Sequence, residues 1–136
     1  MGSSSFIILY HRTPFDEGYD ENGNRIWVDQ KSPNGIIPTL RNIFRNCDDG
    51  TWIAWRRVEH PESVEIERIG MQEPSPFTLC RIPLHDAHIS SFYHVTSKES
   101  FWPILHTFPT HFNVNNADWS IFEEVNLRFA EAACEE

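Results

Sequence analysis

The chain has 136 residues, with twenty acidic and eleven basic side chains and a formal net charge of −9. That length suits one domain, and 40% hydrophobic with 23% charged residues excludes wholesale disorder and fibrous repeats. An acidic surface repels phosphate backbones and anionic lipid, which argues against nucleic-acid or membrane partners. No apolar run approaches the ~20 residues that span a bilayer. The run Phe6 to Tyr10 is too short for a signal-peptide core, so the expected location is cytoplasmic. Cys47, Cys80 and Cys134 are odd in number and widely spread, which points to free thiols rather than a disulfide framework.

Taken in chain order, the elements alternate between strand and helix. Ser5 to His11 is a continuous apolar run and predicts a strand buried on both faces, of the kind found in parallel sheets. Asn22-Gly23, between Tyr19 and Ile26-Trp27-Val28, is a type I′ turn signal and predicts a hairpin. Apolar residues at 36, 37, 40, 43 and 44 predict a helix. Pro38 requires that helix to begin near Gly35 to Ile37. Asp48-Asp49-Gly50 reads as a turn.

Thr51 to Trp55 predicts a second buried strand, and Val64 to Ile69 alternates like a half-exposed one. Phe77 to Ile82 predicts a further strand, closed by Pro83. A short helix over Asp86 to Phe92, with Asp86 as its N-cap, comes next. Ser97 to Leu105 reads as helical with a break at Pro103. The last helix is predicted over Asn116 to Cys134, with a stripe of Trp119, Phe122, Val125, Phe129 and Ala133 that places Trp119 in the core. Two acids at its C-terminal end, Glu135 and Glu136, oppose the helix dipole, and that ending reads as a cut inside a longer protein. The order of elements predicts an α/β layered domain.

Three sets of residues are candidate sites. Tyr10-His11-Arg12 at a strand end and Ser32-Pro33-Asn34-Gly35 opening a helix fit phosphate binding. The glycine admits a phosphate to the backbone, and the helix start offers free N–H groups. An ordinary turn and a surface arginine would leave the same sequence. Trp52, Trp55, Tyr93, Trp102 and Trp119 fit walls for a sugar ring, and equally a packed core. His85, His88, His94, His106 and His111 have spacings that match no metal motif, so no metal site is expected. No hydrolase elbow, Walker loop or kinase signature is present.

An ordered set of motifs carries a resemblance. Ile8-Leu-Tyr-His-Arg12, Ser32-Pro-Asn-Gly35-Ile-Ile-Pro-Thr-Leu40, Trp52-Ile-Ala-Trp55, Phe92-Tyr93 and Phe101-Trp-Pro-Ile-Leu-His106 stand in that order. With the tail from Trp119 to Asn126, they resemble the trehalose-6-phosphate synthase-like glycosyltransferases. Tyr-His-Arg and Ser-Pro-Asn-Gly are closer to the branch that makes glucosylglycerol phosphate. The trehalose branch usually shows Ser-Asn-Arg and Gly-Gly.

The resemblance covers the chain from about residue 6 to its end. It implies a Rossmann-like sheet with flanking helices, residues 1–136 being the N-terminal part of the acceptor-side domain of a GT-B enzyme. It implies transfer of glucose with retention from ADP-glucose to glycerol 3-phosphate, in compatible-solute synthesis, with no cofactor, no metal and no protein nucleophile. By matched position, Arg12, Tyr93 and Trp102 hold the acceptor phosphate, Trp55 walls the acceptor pocket, and Asn34 and Gly35 approach the donor. The 136 residues alone are expected to be inactive, because the donor-binding half lies in the remainder of the enzyme. Two other readings stay open on the residues: a trehalose-6-phosphate synthase using glucose 6-phosphate, and a non-catalytic sugar-phosphate-binding or regulatory module. A generic α/β domain with accidental motif matches is the third.

Overall fold

The computed structural model describes residues 4–31, 35–47 and 49–136. Six strands and four α-helices run in the order β1 (Phe6–Leu9), β2 (Asp16–Tyr19), β3 (Arg25–Val28), α1 (Ile36–Phe44), β4 (Gly50–Arg57), β5 (Glu67–Met71), β6 (Phe77–Leu84), α2 (Asp86–Ile89), α3 (Trp102–Leu105) and α4 (Trp119–Glu135). A π-helical stretch, Ser90–Phe101, joins α2 to α3, and short 3-10 turns lie at Pro61–Ser63 and Pro109–His111. The chain divides into two compact units: residues 1–55 with 67–81 and 136, and residues 56–66 with 82–135.

The first unit is built on a sheet of order β1-β4-β6-β5. β1 and β4 are parallel, with Ile8 opposite Trp52, as expected for an α/β fold. β5 and β6 are antiparallel, with Ile69 opposite Leu79. β4 is the buried strand predicted from Thr51 to Trp55 and runs two residues further. β1 departs from expectation: only Ile8 is buried and Leu9 is 53% exposed, because the strand is at the edge of this sheet. The core gathers Ile8, Phe15, Phe44, Trp52, Ala54, Met71, Phe77 and Leu79. Phe44 stands at its centre, 4.8 Å from the Phe77 ring and 6.0 Å from Trp52. Gly50 is required there, since a Cβ would collide with the Phe44 ring.

The hairpin β2–β3 is present, but its turn is not type I′. Tyr19 pairs with Arg25, leaving a five-residue loop in which Gly23 (φ 80°) is the residue with positive φ. The Asp20 carboxylate accepts from the Asn22 and Asn24 amides at 2.8 Å, and this short-range bonding replaces the tighter turn. β5 begins three residues later than its alternating pattern suggests. α1 begins where Pro38 requires. Asp48, part of the expected turn, lies outside the described residues. Glu136 is not an uncompensated acid: its Oε1 pairs with Arg68 at 2.8 Å and its Oε2 accepts from Thr51 at 3.2 Å.

The second unit is mostly helical. β6 runs through Pro83 instead of stopping there; its pairing with β5 ends at Arg81, so that ladder does not need the missing N–H. The N-cap of α2 is His85, whose Nδ1 accepts from the Ala87 amide at 3.0 Å, and Asp86 is the first helical residue. Pro103 does not break the helix. It is the second residue of α3, where the hydrogen-bond register changes from π to α and a proline costs little.

α3 ends in a Schellman cap, with Phe108 N–H on the Pro103 carbonyl at 2.7 Å, Thr107 N–H on that of Ile104 at 3.1 Å, and Thr107 at φ 60°. α4 starts at Trp119, later than expected, because Asp118 caps it by accepting from the Ser120 and Ile121 amides. Its buried residues are Val125 and Ala132, not Ala133. Trp119 is 47% exposed and packs edge-on against Phe101 and Phe122, which corrects its assignment to the core.

Candidate functional site

Two of the expected residues, Arg12 and Trp55, stand towards the carboxyl ends of neighbouring parallel strands in the first unit. Beyond β1 the chain still follows β4: Tyr10 N–H donates to Ile53 (3.0 Å) and Trp55 N–H to His11 (3.4 Å). The fully buried Trp52 donates its indole N–H to the Arg12 carbonyl at 2.8 Å. The Arg12 backbone is thereby pinned by a core tryptophan while its side chain faces outward, exposed. Trp55 is half-buried, with its ring 5.1 Å from the His11 imidazole. Trp52 belongs to the core rather than to a sugar wall.

Gly35 is exposed at the start of α1, and no side chain among the described residues caps that helix. Its φ of −58° is one any residue adopts, and a Cβ there would meet no atom within 4 Å. Nothing among the described residues demands a glycine at that position. Asn34, with Ser32 and Pro33, lies outside the described residues.

The segment between Arg12 and Gly35 is the hairpin, and charge holds it to the sheet of the same unit. Arg81 is only 5% exposed, so its guanidinium must be paired. It bonds Glu67 through Nε (2.8 Å) and Nη2, and Glu17 of β2 at 2.5 Å. Arg25 of β3 also reaches Glu67 at 2.5 Å, and both guanidinium groups lie over Trp27. Burial alone would raise the Glu17 and Glu67 carboxyls. The hydrogen bonds and positive charge of their arginine partners outweigh it and hold both below the usual range. On the other side, Arg41 of α1 pairs with Asp29 at 2.8 Å and covers the Phe15 ring.

In the second unit the π register decides what faces what. At about 4.4 residues per turn, the nine steps from Tyr93 to Trp102 complete about two turns and end on one face. At 3.6 residues per turn they would face opposite ways. The register is visible in the bond from the Trp102 amide to the Ser97 carbonyl, and Ser97 Oγ donates to the Phe92 carbonyl five residues back. Trp102 is half exposed, stacks on His106 at 4.0 Å and lies nearly parallel to Phe108 at 6.3 Å. It lines a groove of about 510 Å³ together with Lys98, Glu99, Pro103, Phe108, His111 and Asn113. Tyr93 is half-buried, with the Lys98 ammonium 4.6 Å above its ring and His94 edge-on.

Lys98 escapes the sequence reading because a five-residue spacing brings no contact in an α-helix. The sequence signal was the lack of an apolar stripe between residues 90 and 101. Among the described residues no group of three or more His, Cys, Asp or Glu is placed to hold a metal ion, and no helix is long and apolar enough to cross a membrane.

Comparison with known proteins adds four findings. The family profile of glycosyltransferase family 20 matches residues 4–136. The glucosylglycerol-phosphate synthase of Picosynechococcus sp. is 44% identical over 134 residues, covering 98% of this chain and 27% of that protein. The trehalose-6-phosphate synthase of Mycolicibacterium gilvum is 29% identical over 132 residues, with 96% and 25% covered. Among solved structures, the trehalose-phosphate synthase of Burkholderia xenovorans in complex with glucose-6-phosphate superposes with a TM-score of 0.62 at 18% identity, over 93% of this chain and 24% of that one. At that identity the likeness is one of fold, and it bears out the mixed α/β class with a parallel pair and flanking helices. The chain spans about a quarter of the length of these relatives.

Proposed function

Because this chain belongs to glycosyltransferase family 20, we propose that residues 1–136 are the N-terminal, acceptor-side part of a longer GT-B enzyme. That enzyme transfers glucose with retention from ADP-glucose to glycerol 3-phosphate, as a step in making a compatible solute in the cytoplasm. The observation that carries the acceptor choice is the difference in identity: 44% to a glucosylglycerol-phosphate synthase against 29% to a trehalose-6-phosphate synthase. Tyr10-His11 and Pro33-Asn34, where the trehalose branch carries other residues, point the same way.

In this reading Arg12, Tyr93 and Trp102 hold the acceptor phosphate, and Trp55 walls the acceptor. Arg12 supplies a permanent charge with fixed, forked donors, the geometry that suits phosphate. Its pinned backbone limits the ordering needed on binding. Asn34 and Gly35 belong to the donor side. The bare glycine and a start of α1 that no side chain among the described residues caps offer backbone N–H groups and the positive end of the helix dipole to a diphosphate. No protein nucleophile is needed: catalysis comes from charge stabilisation when donor and acceptor halves close on both substrates.

The test is nucleotide release from ADP-glucose by the full-length enzyme, with glycerol 3-phosphate and glucose 6-phosphate compared, and the anomeric configuration of the product read by NMR. We expect a retained α-linkage and a clear preference for glycerol 3-phosphate. The isolated 136-residue chain is expected to give no turnover. A preference for glucose 6-phosphate would assign the chain to the trehalose reading instead, and no transfer to either acceptor would assign it to a non-catalytic binding module.

A further inference from the structure

We propose that Lys98 is a specificity-determining residue of this site: a counter-charge that makes the enzyme select a phosphorylated acceptor over its unphosphorylated form. The inference rests on the reading that Tyr93 and Trp102 face the acceptor phosphate, and extends it to a side chain that no motif contains.

The π register between Ser90 and Phe101 places Tyr93, Lys98 and Trp102 on one side of the helix. Lys98 is linked to both of the others. Its ammonium stands 4.6 Å from the Tyr93 ring centroid, and the same residue lines the groove walled by Trp102. The tyrosine face holds the ammonium by cation–π attraction and leaves the N–H donors that point away from the ring for a ligand. A phosphate bound against this face of the helix would therefore have a positioned cation beside it. Tyrosine and tryptophan donate hydrogen bonds that a neutral hydroxyl accepts as well, so alone they discriminate weakly between a phosphate and an alcohol. Lys98 adds the term that only the anion feels, and it must outweigh the repulsion from Glu99 on the same groove.

The groove has the walls such a ligand needs. Trp102, Phe108 and Pro103 offer apolar faces to the C–H surface of a small polyol, and Asn113 and His111 offer polar edges. The wall is held in shape by its own loop. Thr107 in the left-handed region turns Phe108 back over the helix, Asn113 N–H donates to the Glu99 carbonyl at 3.0 Å, and Ser100 Oγ donates to the Asn113 carbonyl at 2.6 Å. Lys98 itself is exposed, so replacing it leaves the packing of the unit intact.

Steady-state kinetics of the full-length enzyme with Lys98→Met and Lys98→Arg tests this, using glycerol 3-phosphate and glycerol as paired acceptors at fixed ADP-glucose. For Lys98→Met we expect the ratio of kcat/KM for the phosphorylated over the unphosphorylated acceptor to fall about tenfold to a hundredfold, mainly through KM for glycerol 3-phosphate. Lys98→Arg should recover most of the ratio. An unchanged ratio in folded Lys98→Met overturns the proposal, as does an equal loss on both acceptors that Lys98→Arg does not rescue, which would mark a structural residue. A wild-type enzyme that shows no preference for glycerol 3-phosphate over glycerol overturns the underlying acceptor reading, a result distinct from either of those.

Discussion

At φ −58°, with open space where a Cβ would stand, Gly35 meets no demand for glycine among the described residues. Gly23 and Gly50 are different: one sits at φ 80°, and the other lies against the Phe44 ring. If Gly35 serves the donor diphosphate, a side chain there should harm binding and spare the fold. Gly35→Val in the full-length enzyme should weaken ADP-glucose binding in a calorimetric titration. The melting temperature should move little, because the remaining cost is the N-cap preference, about 1 kcal/mol or less. Normal donor affinity in the folded variant would leave Gly35 an ordinary helix-entry residue. A large drop in melting temperature would show a packing demand that the open space around it denies.

The elements that sequence patterning read correctly were those in which local and tertiary preferences agree. α1 begins where Pro38 demands, and β4 is the continuous buried run it promised. Patterning failed where a side chain overrode the local rule. Asp20 reshaped the hairpin turn, His85 took the cap expected of Asp86, and the change of helix register made room for Pro103. The π stretch is the most consequential miss, since only its register puts Tyr93 and Trp102 on one face. The hairpin β2–β3 likewise depends on partners far away in sequence. A two-stranded hairpin is marginal alone, and Glu17 and Arg25 tie it to Glu67 and Arg81.

That network carries a pH dependence of known sign. Glu17 and Glu67 titrate lower in the folded protein than in the unfolded chain, where a glutamate titrates near about 4.3. Their stabilisation is complete above that value and is lost as pH falls through the lower folded values. In urea titrations Glu67→Gln should be less stable than wild type at pH 7. The gap should narrow as pH is lowered below about 4. A gap that stays constant from pH 7 to pH 3 would mean that the carboxylate charge of Glu67 does not support the hairpin.

At the scale of the whole molecule, the family was legible because an ordered set of short motifs survives where overall composition says only "acidic globular domain". The α/β class followed from the alternation of buried strand and amphipathic helix. The division of the chain into two compact units, with β4 and β6 each continuing from the first into the second, was not legible: each strand crosses the division without a linker-like stretch of Gly, Pro or Ser to mark it. Candidate residues could be named from the sequence, but their arrangement could not be read there. Arg12 and Trp55 are brought to adjacent strand ends by pairing that residue types do not encode, and Trp52, which resembles them in sequence, is consumed by the core.

The claim that this chain carries the acceptor side of a glucosyltransferase is tested most directly by Arg12→Ala in the full-length enzyme, with each substrate varied in turn. Arg12 is exposed, so the substitution removes a guanidinium without opening the core. A lost charge-assisted phosphate contact costs about 1.5–3 kcal/mol, which is about ten- to a hundredfold in affinity. The account predicts a rise of that size in KM for glycerol 3-phosphate, with KM for ADP-glucose much less affected. An unchanged acceptor KM and kcat, or a loss confined to ADP-glucose, would contradict it.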